Sequence, residues 1–248
     1  PSIIDVLSCL ISSFLCVSAA IQMTRNFIVL YLLIMFSCPG VSADINVSGK
    51  VARYTGSISD ELNQLLFDQV AGQEVTRLVI TSDGGDVTAG IALGYWVFNN
   101  GIDIEVPEYC LSSCANYVFT AGRNKLVRSG AIVAWHGNYN HLLQTGLWRD
   151  DIELRMQRTG EARAEATIHA RALAEKLVAE ERDFFTHIGV DEYLCWVGKM
   201  PPYNAADYYF LDLEDMARFG VNNVQLPADY NRSRARALDV NAIYIDLN

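Results

Sequence analysis

Basic side chains are what this chain has least to spare: 19 Lys and Arg face 29 Asp and Glu, for a formal net charge of −10. No basic patch outweighs the acids around it. Binding to nucleic acid needs clustered cations to neutralise phosphates, so that class of partner is excluded. Cysteine is also sparse, six in 248 residues. Cleavage of an amino-terminal leader would leave only Cys110, Cys114 and Cys195, with no fourth ligand at a usual spacing, which argues against zinc. No cofactor is called for. Helix breakers are nearly missing from residues 148–187, where Gly160 is the interruption, and this predicts one long helix or two in line.

What is present begins with two apolar stretches. Met23, Thr24, Arg25 and Asn26 form a short basic start, residues 27–36 an apolar run, and Val41-Ser42-Ala43 a small-residue cleavage site, together a secretory signal peptide. Acylation at Cys38 is the poorer alternative because Pro39 follows it. Residues 1–22 read as a translated upstream region ahead of a start at Met23, or else as a first membrane helix. The expected organisation is therefore 1–22 upstream, 23–43 leader, 44–221 catalytic-type domain and 222–248 extension. The product would be exported, periplasmic or secreted, with membrane attachment if the leader stayed uncleaved. In an oxidising compartment Cys110 and Cys114 could bridge, and being buried thiols is the other reading.

An apolar share of 51% suffices for one good core. Residues 46–54 alternate as a first strand. Ser59 opens a helix whose face is Leu62, Leu65, Leu66 and Val70. A short apolar strand, 78–81, leads into Ser82-Asp83-Gly84-Gly85 and a helix over 87–99 that buries Ala89, Ala92, Tyr95 and Val97. Strand 102–106, helix 114–121 and strand 131–134 follow, then a loop over 137–146. Leu173, Leu177, Phe184 and Ile188 stripe the long helical stretch, residues 189–204 form a compact loop, and 242–245 an added strand. Strands alternating with helices predict an α/β fold with a mostly parallel sheet, whose site lies beyond the carboxyl ends of the strands.

Three functional blocks fall at such ends. Ser112 and Ser113 stand where a strand stops and a small-residue helix begins, beside free helix N–H groups. His136 ends the next strand, so a hydroxyl and an imidazole could meet as nucleophile and base. The runs L-V-I-T-S-D-G-G-D-V-T-A-G (78–90), C-L-S-S-C-A-N-Y-V-F-T-A-G (110–122) and A-I-V-A-W-H-G (131–137) resemble the ClpP/crotonase superfamily, in particular Clp protease proteolytic subunits and signal peptide peptidases. The resemblance covers roughly residues 50–221. It implies a spiral of ββα units with a long helix after the core, with Ser113 as nucleophile, His136 as base, and the N–H groups of Gly85 and Cys114 as oxyanion donors. A one-residue shift would make the nucleophile Ser112. The position of the orienting acid holds Tyr208, with Asp207 one residue earlier, so Asp207, Tyr208 or a dyad without an acid are the alternatives. His141 is a weaker rival to His136. The expected function is an exported serine hydrolase, a peptidase acting on peptide or protein, able to self-associate and without a partner ATPase. The alternative is a non-catalytic binding or assembly protein on the same fold, and an acyl-CoA enzyme is a third.

Overall fold

The structure is a computed structural model that describes residues 43–232 and 241–247. The leader, Cys38 and residues 1–22 lie outside the described residues. Among those described, no helix is long and apolar enough to cross a membrane.

The chain is α/β, built on a six-stranded sheet in the order β1-β2-β3-β4-β6-β9. Here β1 is Asp44–Ser48, β2 Val51–Thr55, β3 Arg77–Thr81, β4 Asp103–Val106, β6 Lys125–Val127 and β9 Val224–Gln225. Every neighbouring pair from β2 onward is parallel. The single first strand expected over 46–54 is instead an antiparallel hairpin, with Ser48 opposite Val51. Gly49, at φ +58, makes the reversal possible in two residues.

Helix α1, Asp60–Val70, starts where its cap chemistry says it should: the Ser59 side chain accepts from Leu62 N–H. It buries Leu66 and Asn63, whereas Leu65, expected on the core face, is 45% exposed. Helix α2, Val87–Asn99, is capped by Asp86 and buries Ala89, Ile91, Leu93 and Val97. Ala92 is exposed, not core, and Tyr95 is half-buried.

The charged stretch after residue 147 is two helices, α4 (Asp150–Thr159) and α5 (Arg163–Ile188). They are not in line. Gly160 ends α4 in the left-handed region, and Trp148 and Ile152 pack into one cluster with Ala166, Ala170 and Ala174 of α5. Further along, Leu177, Val178, Phe184 and Phe185 enter the main core. Leu173 is 45% exposed because Ala174, one position on, is what faces inward. The inner stripe of α5 thus packs on its own domain.

Two further parallel pairs complete the architecture. β5 (Tyr109–Leu111) pairs with β7 (Ile132–Ala134), and β8 (Tyr208–Phe210) pairs with β10 (Ala242–Tyr244), the added strand expected near the carboxyl end. Single bridges tie them in, Ser82 to Cys110 and Trp135 to Tyr209. Trp135, Tyr117, Tyr209, Phe119 and Phe210 are fully buried at this junction, so the strand ends that carry the polar residues rest on a rigid aromatic floor.

Candidate active site

The parallel register of β5 and β7 sets Leu111 beside Ala134, and Ser112 N–H then donates to the Ala134 carbonyl at 3.2 Å. One residue past Leu111 and two past Ala134, the chain therefore presents Ser112 and His136 side by side. His136 Nε2 lies 2.8 Å from Ser112 Oγ. Ser112 has φ +54, a left-handed conformation that a residue with a Cβ adopts at a cost. This bend sets the Ser112 side chain past the end of β5, beside the ring of His136.

The serine that meets the imidazole is Ser112 and not Ser113. Ser113, the expected nucleophile, is 3% exposed and donates its hydroxyl to the Gly85 carbonyl at 2.9 Å. Its conformation is right-handed helical, since it caps the turn of π-helix Cys114–Phe119. A serine on the first helical residue points back into the fold; the residue before it, in the left-handed bend, points out. With the register moved by one, the N–H that follows the hydroxyl-bearing residue belongs to Ser113, not to Cys114.

Cys110 and Cys114 form a disulfide across Leu111, Ser112 and Ser113, with Cα atoms 5.2 Å apart. The bridge closes the bend on both sides and holds the strained residue between two fixed points. Cys195 is buried and unbridged.

The Gly-Gly turn lies against the same bend. A Cβ on Gly84 (φ +103) would stand 2.6 Å from Ser112 Cβ and 2.9 Å from Ser113 N; one on Gly85 (φ +142) would stand 2.2 Å from the Ile58 carbonyl oxygen. Only residues without a side chain let these three backbones meet.

Asp207 does not reach the imidazole as an orienting acid. Its carboxylate accepts the Asn241 N–H at 3.1 Å, because the added strand β10 pairs alongside β8 and turns that carboxylate towards its own start. Tyr208 does not bond the ring through its hydroxyl; it stacks on it, with centroids 4.5 Å apart. Desolvation lowers the His136 pKa first, the Lys199 ammonium lowers it further, and Asp207 only partly opposes them. The ring is therefore neutral at pH 7, with a lone pair available at Nε2 if Nδ1 carries the proton. Among the other histidines, His169 bonds Glu161, His187 bonds Asn99, and His141 is buried on the pocket wall, bonded to neither serine.

Ser112, His136, Gly85, Asn116, His141 and Lys199 share a cavity of about 260 Å³. A second hollow of about 270 Å³, between α4 and α5, has neither a serine nor a histidine on its wall. The 137–146 segment, expected as a loop, is helix α3, Tyr139–Thr145, closing one side of the first cavity. Asn138 caps it by accepting from His141 N–H, and Gly146 ends it in the left-handed region. These are ordinary start and stop signals, hidden by the polar composition between them.

Glu181 of α5 anchors this helix, and sequence reading did not find it. Its carboxylate takes the Tyr117 hydroxyl at 2.5 Å and the N–H groups of Tyr139 and Asn140 at 3.1 and 3.2 Å. A glutamate within an apolar helical stripe, at 181 between Val178 and Phe184, was the one available signal. Burial pushes its pKa up to about 7 against those three bonds. Between the ordinary glutamate value of 4.5 and about 7 the folded protein holds a proton that the unfolded chain has released. Stability from this group is therefore complete below pH 4.5 and is lost as pH rises to about 7, roughly 3 kcal/mol in all. Glu181→Gln should flatten that part of the pH–stability curve in urea unfolding. An unchanged slope would refute the assignment.

No protein-family model matches the chain, and no curated protein matches it with significance.

Proposed function

We propose that this protein is an exported serine hydrolase, a peptidase of the ClpP/crotonase kind, with Ser112 as nucleophile and His136 as base. The observation that carries the reading is the 2.8 Å contact between His136 Nε2 and Ser112 Oγ at a strained, disulfide-braced bend. Export is expected from the leader, and a bridged Cys110–Cys114 pair suits an oxidising compartment.

The chemistry follows from the positions. His136 Nε2 takes the Ser112 proton as Oγ adds to the carbonyl carbon, and the oxygen becomes an oxyanion. The Ser113 and Gly85 N–H groups are the donors assigned to it, on segments that the Ser113 hydroxyl joins by donating to the Gly85 carbonyl. One such donor contributes about 3 kcal/mol to the transition state. The C–N bond then breaks, the amine leaves with the proton held by His136, and water cleaves the acyl-serine by the same steps reversed. With Asp207 bonded elsewhere, the site works as a dyad whose ring is held by the Tyr208 stack.

The second reading, a binding protein that keeps the fold without hydrolysis, is favoured by one observation: the Asp207 carboxylate faces Asn241 and not the imidazole. A fluorophosphonate probe separates the two. The reading expects a covalent adduct that peptide mapping assigns to Ser112, absent from Ser112→Ala. A folded wild-type sample that stays unlabelled would favour the binding protein.

A further inference from the structure

The cavity at Ser112 has an uneven wall. In a chain of net charge −10, the one Lys or Arg among the residues lining that wall is Lys199, whose pKa desolvation lowers. Its ammonium is held in place: Nζ donates to the carbonyls of Ala206 at 3.1 Å and Asp207 at 3.0 Å, which uses two of its three donors. Backbone carbonyls fix the ammonium but do not neutralise it. The nearby Asp207 carboxylate favours the charged ammonium but makes no direct ion pair with it among the described residues, and it accepts Asn241 N–H instead.

A second polar group on the same wall lacks a partner. His141 is 4% exposed, stacked on Trp196 with centroids 5.9 Å apart, and its Nδ1 has no hydrogen-bond partner among the described residues. The Lys199 charge reaches it, since the ammonium lowers the His141 pKa after desolvation has done so. A buried ring nitrogen without a partner costs on the order of 1–3 kcal/mol unless something bonds to it. A fixed cation with a spare donor, near an imidazole that donates from Nδ1 when that nitrogen carries the proton, suits a planar anion with two acceptor oxygens.

We propose that Lys199 and His141 form a carboxylate-binding subsite, so that the protein selects acyl or peptide substrates bearing a free carboxylate close to the bond attacked at Ser112. This deepens the hydrolase reading and rests on it for the word substrate, but the binding claim stands without turnover. Two sources share the chemistry, the terminal carboxylate of a short peptide and an acidic side chain within a longer one. The cavity, at about 260 Å³, takes a residue or two, which favours the chain terminus.

The test measures binding to Ser112→Ala, which cannot turn substrate over, by titration calorimetry. The probes are acetyl-dialanine with a free carboxylate, the same peptide as its carboxamide, and an acetyl-alanyl-glutamate carboxamide. The free acid should bind about tenfold or more tightly than the carboxamide, as expected for one charge-assisted contact in a partly desolvated site. Lys199→Met in the same background should bring the two together, and Lys199→Arg should keep most of the difference. His141→Phe should remove part of it. If the glutamate peptide binds best, the subsite stands and its source is the side chain. Equal binding of acid and carboxamide, no binding of either, or a preference that survives Lys199→Met, would overturn the subsite. Should Lys199→Met not fold, salt decides in Ser112→Ala itself: the preference must shrink as ionic strength rises, and a salt-independent preference refutes the cation. Fluorophosphonate labelling of the wild type reports separately on the hydrolase reading, so failure of one is distinguishable from failure of the other.

Discussion

Ser112→Ala should lower kcat/KM on a peptide ester by about three to six orders of magnitude, while Ser113→Ala should lower it by about tenfold or less. Both serines line the cavity, but they differ in exposure and in the partner of the hydroxyl. Ser112 is bonded to a neutral imidazole and half-exposed to the cavity. Ser113 is buried, with its proton committed to the Gly85 carbonyl. Deleting the first hydroxyl removes the bond-forming atom. Deleting the second removes one neutral hydrogen bond, worth about 1 kcal/mol, and loosens the Gly-Gly turn by that amount. His136→Ala should match Ser112→Ala within about tenfold, because groups acting as a unit are not additive. A Ser113→Ala protein that is folded and inactive beside an active Ser112→Ala would reverse the assignment.

That a one-residue choice separates these outcomes shows where the sequence was legible. The order of strands and helices could be read, because β3, α2, β4 and β7 are strongly patterned and punctuated: Asp86 caps α2 and Asn100-Gly101 stops it. The pairing of a serine near 112 with His136 followed from both lying at strand ends. Which serine could not follow, since it depends on the sign of one φ angle, and serine carries no local preference strong enough to announce a left-handed bend. The Cys110–Cys114 bridge was the available clue, because a four-residue span forces a tight bend between them. The orientation of Asp207 has a non-local cause. Its carboxylate is drawn to Asn241, 34 residues away, by a strand pairing that nothing near residue 207 reveals. Glu181 and α3 were missed together. An apolar stripe hides a buried acid until the backbone N–H groups that it serves are placed, and these belong to a helix of seven residues, too short for periodicity to detect.

Gly84→Ala should be far more damaging than its single methyl suggests. Two costs add. At φ +103 an L-residue is strained by about 1–3 kcal/mol, and the new Cβ would meet Ser112 Cβ at 2.6 Å, the Leu111 carbonyl at 2.8 Å and Ser113 N at 2.9 Å. None of these can step aside cheaply. Leu111, Ser112 and Ser113 lie inside the disulfide loop, and the glycine is itself pinned, its N–H to Ser82 Oγ and its carbonyl to Ile58 N–H. Overpacking against fixed backbone adds a further 1–3 kcal/mol or so. The melting temperature should therefore fall by about 5–15 °C for a domain of this size. Gly130→Ala separates the two costs, because Gly130 also has positive φ, at +79, but a Cβ there meets nothing within 4 Å; it should lose only the strain. The same clash pushes on the residue that bonds His136, so Gly84→Ala protein that remains folded should also label poorly with fluorophosphonate, whereas Gly130→Ala should label like the wild type. Equal melting points for the two variants, with equal labelling, would mean that the Gly-Gly turn does not hold Ser112 in place.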